Sequence, residues 1–362
     1  MRIFVPDLTE FFTWLEKEGH TYVVLRGFLD FDKGYPRPGT KQDVDLLVED
    51  AANEPIRKRY GRYKRKQGVI CDVYGVTSKA HGRYVERPYY PKALAEYTLA
   101  GRRKWKNMFY VPAARAHLLS LIYHLAYQKK QERSGIDISD PALSAGSKYC
   151  REIDHLTAET GIALPCTLSA FHALLKKEGY AIPYEHLVST LQDQFHHEYK
   201  DLFLAQVCAG EKGELNMYVI RKVSVDQKTH ADLINALRKH YTVLAVKDIP
   251  LMTRVMKSRK MRGGKWRRGG QPCIAVIVFD PHPIPRSGDD GKNHPFVFNA
   301  RQFIKTEIRE WFTKTTGLHP KENPIHSTDN EAEAVGHLPL FFSRHEQDDI
   351  FHRLADLRKN LS

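Results

Sequence analysis

The chain has 362 residues, enough for two or three ordinary domains, and its 42% hydrophobic and 11% aromatic content excludes a disordered chain. A formal charge of +13, from 56 Lys and Arg against 43 Asp and Glu, calls for an anionic partner: a nucleotide, a phosphorylated glycan, nucleic acid or an acidic lipid surface. No apolar run approaches the ~18–20 residues of a membrane span and the N-terminus MRIFVPDLTEFF lacks a secretory pattern, so the expectation is a soluble, cytoplasmic protein.

In chain order, FFTWLEKEGH reads as a helix, and TYVVL, DVDLLV and VICDVYG read as three strands of one sheet, each a short β-branched apolar run bounded by turn residues. Asp43 and Asp45 are two apart in a strand. Their carboxylates therefore share a face, with Cα atoms roughly 7 Å apart. Two acids aimed together repel unless something neutralises them, and hard oxygen ligands of this kind suit Mg²⁺. Asp72, in the next strand of similar character, supplies a third carboxylate. Cys71, Cys150, Cys166, Cys208 and Cys273 are scattered and never form CxxC, which predicts buried thiols rather than a disulfide framework or a zinc knuckle.

Over residues 20–110 this order resembles the nucleotidyltransferase superfamily of the DNA polymerase β type, with its Gly-containing turn, D-x-D strand and third acid on a neighbouring strand. The matching positions are Gly27 in LRGF, Asp43 and Asp45 in DVDLLV, and Asp72 in VICDVYG. The resemblance implies that Asp43 and Asp45 hold Mg²⁺ against the phosphates of a nucleoside triphosphate, that Asp72 completes the metal site and helps activate an acceptor hydroxyl, and that Gly27 lies against the nucleotide. The family has Gly-Ser at the turn; this chain has Gly27-Phe28. Arg83, Tyr84 and the run GRRKWK (101–106) are basic and aromatic enough to meet a nucleotide, but a solvated basic face is the preferred reading for them.

VPAARAHLLSLIYHLAYQKK has a wide apolar stripe and predicts a buried helix, in which His117 and His124 fall near one face as core or boundary residues. GIDISDPALSAGSK reads as a polar loop without a phosphate-binding P-loop pattern. CREIDHLTAET, LSAFHALLKKEGY and EHLVSTLQDQFHHEYKDLFLAQV are helical, and His196, His197 and Glu198 are a weak metal signal.

After AGEKGE, read as a linker, the period changes. NMYVIRKVSV is a strand, THADLINALRKHY a helix, and TVLAVKDI and CIAVIVFD are strands, an order that fits a ferredoxin-like α/β sandwich. KSRKMRGGKWRRGG (257–270) is dense in Lys, Arg and Gly and reads as a solvated loop able to fold over phosphates. In KENPIHSTDNEAEA, Thr328 and Glu331 fit a capping box, which places His326 at a helix start whose N–H groups and dipole favour an anion. NPIHSTDNEAEA resembles the active-site segment of nucleoside diphosphate kinases, and the strand ending in Arg221 and Lys222, the central strand PCIAVIVFD and the I-R pair in TEIREWF follow the same order over residues 215–345. The resemblance implies that His326 is the nucleophile that becomes phosphohistidine, that Arg309 holds phosphate oxygens and that Asn323 contacts ribose or phosphate. Ser327 replaces the family's glycine, His337 stands in place of its orienting glutamate, and Lys305 and Arg301 are the substitutes for its missing phosphate loop.

The expectation is an α/β (α+β) multidomain protein, with a nucleotidyltransferase-like mixed sheet (1–110), a helical middle domain (111–210) and a ferredoxin-like, nucleoside-diphosphate-kinase-like domain (211–362). Its expected role is that of an Mg²⁺-dependent nucleotide enzyme acting on an anionic small-molecule acceptor. The rivals are a toxin-like nucleotidyltransferase that modifies RNA or protein, and a nucleic-acid- or nucleotide-binding protein on degenerate catalytic folds, with the basic loop as docking surface. Steep salt dependence marks phosphate-backbone binding. Nucleobase, acceptor and oligomeric state are not written in the sequence.

Overall fold

The computed structural model describes residues 1–28, 31, 43–77, 88–129, 131–194, 201–209, 212–261, 266–286 and 294–361. Arg83, Tyr84, His196, His197 and Glu198 lie outside them. The chain is α/β and divides into two compact units, Met1–His186 and Leu187–Ser362, so the 111–210 segment is shared between them. Among the described residues no helix is long and apolar enough to cross a membrane.

In the first unit β1 (Arg2–Val5), α1 (Leu8–Lys17), β2 (Tyr22–Val24), β3 (Asp43–Val48), α2 (Asn53–Tyr60) and β4 (Val69–Gly75) form a four-stranded sheet in the order β1-β4-β3-β2 with its helices. Asp7 starts α1 by accepting from the Thr9 and Glu10 amides, and the helix buries Phe11, Phe12 and Leu15. β3 and β4 are parallel, which requires a crossover, and α2 supplies it. Alternation then decides everything about the outer face: Val44, Leu46, Cys71 and Val73 enter the core, leaving Asp43, Asp45, Asp72 and Tyr74 on the opposite side.

The unit continues with α3 (Lys92–Ala100), the hairpin β5 (Arg102–Trp105) and β6 (Phe109–Pro112), and α4 (Ala114–Tyr123), whose last turn opens into a π-helical stretch, His124–Gln128. The basic run of β5 is a solvated face: Lys104 pairs with Glu16 at 2.6 Å and Arg103 with Glu159 at 2.9 Å. Short α5 (Gln131–Ser134) follows, and α6 (Pro141–Ser144) forms within the segment expected to be loop because Asp140 caps it. α7 (Lys148–Thr160), α8 (Leu168–Lys177) and α9 (Tyr184–Gln194) follow, and the unit boundary falls within α9.

One cysteine expectation is overturned. Cys150 and Cys166 form a disulfide, their Cα atoms 5.6 Å apart, because the first turn of α7 and the segment entering α8 meet side by side. Residue spacing carries no record of that meeting. Cys71, Cys208 and Cys273 are buried free thiols as expected.

In the second unit α10 (Leu202–Ala209), β7 (Glu214–Arg221), α11 (Lys222–Asp226), α12 (His230–Arg238), β8 (Thr242–Asp248), α13 (Leu251–Lys257), β9 (Pro272–Asp280), α14 (Ile304–Thr316), β10 (Ile325–Ser327), α15 (Glu331–Phe341) and α16 (Arg344–Lys359) follow in sequence. The sheet order is β10-β7-β9-β8, antiparallel throughout, with α12 and α14 in the crossovers: the ferredoxin-like arrangement that the strand and helix order predicted. β7 and β9 are buried along their whole length. α15 does not start where the sequence suggested. Its cap is Asn330, which accepts from the Glu333 amide, while the Thr328 hydroxyl is turned inward to the Met217 amide at 3.0 Å.

The interior of this unit holds charge. Glu331 receives Arg358 through two bonds of 2.7 and 2.8 Å and the Leu215 amide at 2.8 Å. Glu214 on β7 is only 2% exposed, and neither carboxylate oxygen reaches hydrogen-bond geometry with a donor. Burial pushes its pKa up to about 8, with Glu331 and Asp280 adding and the Asn299 and Asn216 amides opposing. Because the folded-state value lies above the ordinary 4.5, the protonated form stabilises the fold fully below about pH 4.5, and that contribution is lost as pH rises through about 8. Glu214→Gln imitates the neutral form. Between roughly pH 5 and 8.5 its melting temperature is expected to fall less than that of the wild type; equal slopes would show that folded Glu214 is already ionised at the acid end of this range, its pKa not raised.

Candidate functional site

The four expected N-terminal residues, Gly27, Asp43, Asp45 and Asp72, line one cleft of about 820 Å³ in the first unit. Asp45 and Asp72 stand directly opposite each other on the parallel strands β3 and β4. Each carries an arginine. Arg26 reaches Asp45 at 2.8 Å while the Tyr74 hydroxyl donates to its other oxygen at 3.0 Å, and Arg2 makes two 2.7 Å bonds to Asp72. Asp43 is the open member at the start of the strand. Although solvent reaches it, the concave wall removes part of its hydration, and this desolvation, then Asp45 and Asp72, raises its pKa against the pull of Arg2 and Arg26.

Asp45 and Asp72 are thus committed to ion pairs, and Asp43 is not. Among the described residues, no group of three or more His, Cys, Asp or Glu is placed to hold a metal ion. Gly27 has φ +72°, as a tight turn requires. Phe28 is 2% exposed and packs on Trp105 and His117, so the turn presents no hydroxyl to the cleft. Arg26 also donates to the Tyr89 hydroxyl at 3.1 Å, which lies 2.7 Å from His124 Nδ1. Burial, with Arg26 and Lys129 nearby, holds the His124 imidazole well below its usual pKa.

In the second unit His326, Arg309 and Asn323 come together as the motif predicted, but on different supports. His326 sits on β10 opposite Val219, ahead of α15 rather than at its N-terminus. Its ring lies edge-on to Trp266 at 6.2 Å, and the Arg221 guanidinium covers the same indole at 4.8 Å. Arg221 donates to the Gly270 carbonyl at 3.0 Å; its pKa is lowered to about 10 by burial first and by Arg309 second, with Glu322 opposing.

Arg309 is also pushed down by burial. Its hydrogen bonds go to neutral oxygens, Asn323 Oδ1 at 2.9 Å and the Ile325 carbonyl at 3.1 Å. Among the described residues it has no carboxylate partner. Asn323 Oδ1 further accepts the Ile325 amide at 3.2 Å, so this side chain shapes the turn that presents His326. Lys305 reaches Ser327 Oγ at 3.1 Å, beside the histidine. Arg301 does not take the substitute role expected of it, because Asp280 holds it at 2.8 Å and the His282 carbonyl at 3.1 Å. His337 is fully buried within α15. Trp266 and Gly269 were missed in the sequence, hidden in a basic run that reads as a solvated loop; a tryptophan among arginines and glycines was the available signal.

No protein-family model and no curated protein matches the chain. Among solved structures, the Aquifex aeolicus nucleoside diphosphate kinase in its orthorhombic C222 crystal form is similar over 37% of this chain and 98% of its own, at 13% identity and a TM-score of 0.24. A score that low carries no argument.

Two substitutions test the geometry. Gly269 has φ +89°, and a Cβ there would meet the Asn323 carbonyl oxygen at 2.0 Å. Gly269→Ala is expected to cost on the order of 1–3 kcal/mol and to displace the His326 turn, measured by denaturant unfolding; a neutral effect would show that the loop yields freely. Arg2, with its side chain 54% exposed, is removable without a core defect. Arg2→Ala frees Asp72, so Mg²⁺ binding followed by calorimetry is expected to tighten, and unchanged binding would mean that the acids are not a cation site.

Proposed function

We propose that the protein is a nucleotide-dependent phosphotransferase in which His326 takes the terminal phosphoryl group of a nucleoside triphosphate. The observation that carries this reading is Arg309: a half-buried guanidinium, bonded to neutral oxygens in the turn before His326, whose charge also depresses Arg221. Two such cations held together and partly desolvated are stabilised by an anion between them, and phosphate oxygens match guanidinium geometry. The lone pair of the unprotonated imidazole nitrogen attacks the γ-phosphorus, the bond to the β-bridging oxygen breaks, and the nucleoside diphosphate leaves with its electron pair. An acceptor hydroxyl then attacks the phosphorus, the N–P bond breaks with its electron pair returning to the imidazole nitrogen, and the hydroxyl proton is released to solvent. Imidazole suits both steps because it is largely neutral at physiological pH and its phosphoramidate is reactive. Arg309 offsets charge on the transferring group, and Lys305, beside Ser327, adds a second cation.

A second reading applies to the N-terminal cleft, favoured by the in-register Asp45 and Asp72 with Asp43 on the same face. It is nucleotidyl transfer: an acceptor hydroxyl attacks the α-phosphorus, pyrophosphate leaves, and the hydroxyl proton passes to a carboxylate of this face, the role expected of Asp72, which must first give up Arg2. Mg²⁺ is the expected cofactor of that reading, and it has to compete with Arg26 and Arg2 for the acids.

Incubation with γ-labelled and, separately, α-labelled ATP and GTP tests both. Acid-labile γ-label is expected on the wild type, absent in His326→Ala, and slowed by roughly 10²-fold in Arg309→Gln. Label retained in His326→Ala, or none on the wild type, would overturn the phosphohistidine. Transfer of α-label that disappears in Asp43→Ala/Asp45→Ala supports the second reading, and transfer that persists there ends it.

A further inference from the structure

The wall of the N-terminal cleft facing the acids is cationic. It is built by Lys129, at the end of the π-helical stretch, Arg133 of α5, and Lys148 and Arg151 in the first turn of α7. Among the described residues none of the four is within ion-pair distance of a carboxylate, whereas Asp45 and Asp72 on the floor are already neutralised by arginine. Lys129 and Lys148 bracket Tyr149, at 4.8 and 5.1 Å from its ring, and Lys129 Nζ donates to the tyrosine hydroxyl at 2.5 Å. Glu152, which also lines the cleft, is 3.3 Å from His117. Among the described residues the cleft therefore carries four cations without a carboxylate partner against two acids without an arginine or lysine partner, Asp43 and Glu152.

This clustering is unfavourable as it stands. Cations repel one another, and two of these occupy the N-terminal turn of a thirteen-residue helix, where the dipole already favours negative charge and no acid is present in the first turn. The Cys150–Cys166 disulfide ties that same turn to the entry of α8. Four cations gathered at one cleft despite their repulsion favour an anion of several charges. At about 820 Å³ the cleft is the size of a small-molecule site rather than a track for a polymer. Meanwhile Phe28, buried on Trp105 and His117, leaves the Gly27 turn without a hydroxyl for phosphate.

We propose that Lys129, Arg133, Lys148 and Arg151 form an oligophosphate subsite that holds the polyphosphate tail of a nucleotide across the cleft from the acidic face. This rests on reading the cleft as a nucleotide site. The wall grips a run of phosphates electrostatically, and Tyr149, whose hydroxyl accepts from Lys129 and whose ring lies near Lys148, spaces two of the cations.

The test is titration of the full chain with inorganic tripolyphosphate by calorimetry, in an Arg309→Gln background so that the C-terminal cations contribute equally and weakly throughout. Lys148→Ala/Arg151→Ala removes two exposed wall charges and is expected to weaken binding roughly tenfold or more. Arg344→Ala/Lys359→Ala removes the same charge from exposed positions of the other unit and is expected to change little. Equal affinity in the wall variant, or an equal loss in the charge-matched control, would overturn the subsite. Lys129→Ala, also expected to weaken binding, provides an independent variant should the double substitution disturb α7. Failure of the wider reading looks different: tripolyphosphate would still bind through the wall while α-label transfer was absent from the wild type.

Discussion

A charge held away from water needs an opposite partner, and both units are organised by how that requirement is met. In the second unit Glu331 inside the core receives Arg358, and through the Leu215 amide this pair ties α15 and α16 to the central strand β7. Glu214 at the start of that strand meets the requirement by remaining protonated. Arg309 near its other end meets it only with neutral oxygens. The strand thus begins at a protonated carboxyl and ends beside two guanidinium groups, Arg221 and Arg309, and His326 lies on the neighbouring strand at that end.

The first unit distributes charge by the same rule with a different outcome. Alternation along β3 and β4 places three carboxylates on one face, and Arg26 and Arg2 neutralise two of them. What is left unpaired is Asp43 on this face and, on later segments of the chain, Lys129, Arg133, Lys148 and Arg151. The cleft therefore has a floor on which two of three acids are neutralised and a lining rich in cations.

The fold was largely legible because period and composition act locally. DVDLLV and VICDVYG are strands at the positions their β-branched runs indicated, and the split β-α-β order of the second unit follows from the alternation of strand and helix patterns. β1 and the β5–β6 hairpin were not anticipated: RIFV is too short to announce itself, and the hairpin turns on Lys106 and Asn107 at φ +48° and +59°, where glycine was the expected signal. The start of α15 was misplaced by two residues because Thr328 has a better use inside, bonding Met217 of the neighbouring strand.

The sequence by itself determined which residues share a strand face or a turn: Asp43, Asp45 and Asp72 on one strand face, and Asn323, His326 and Arg309 around one turn, since spacing within an element and short motifs are local properties. Tertiary structure alone decided their partners. It assigned Arg2 and Arg26 to the acids, laid Trp266 between Arg221 and His326, joined Cys150 to Cys166 and brought α5 and α7 to face the sheet. The physical reason is that electrostatics and packing act through space: a guanidinium seventy residues away along the chain lies 2.7 Å from Asp72, and no pattern of neighbours in sequence encodes that distance.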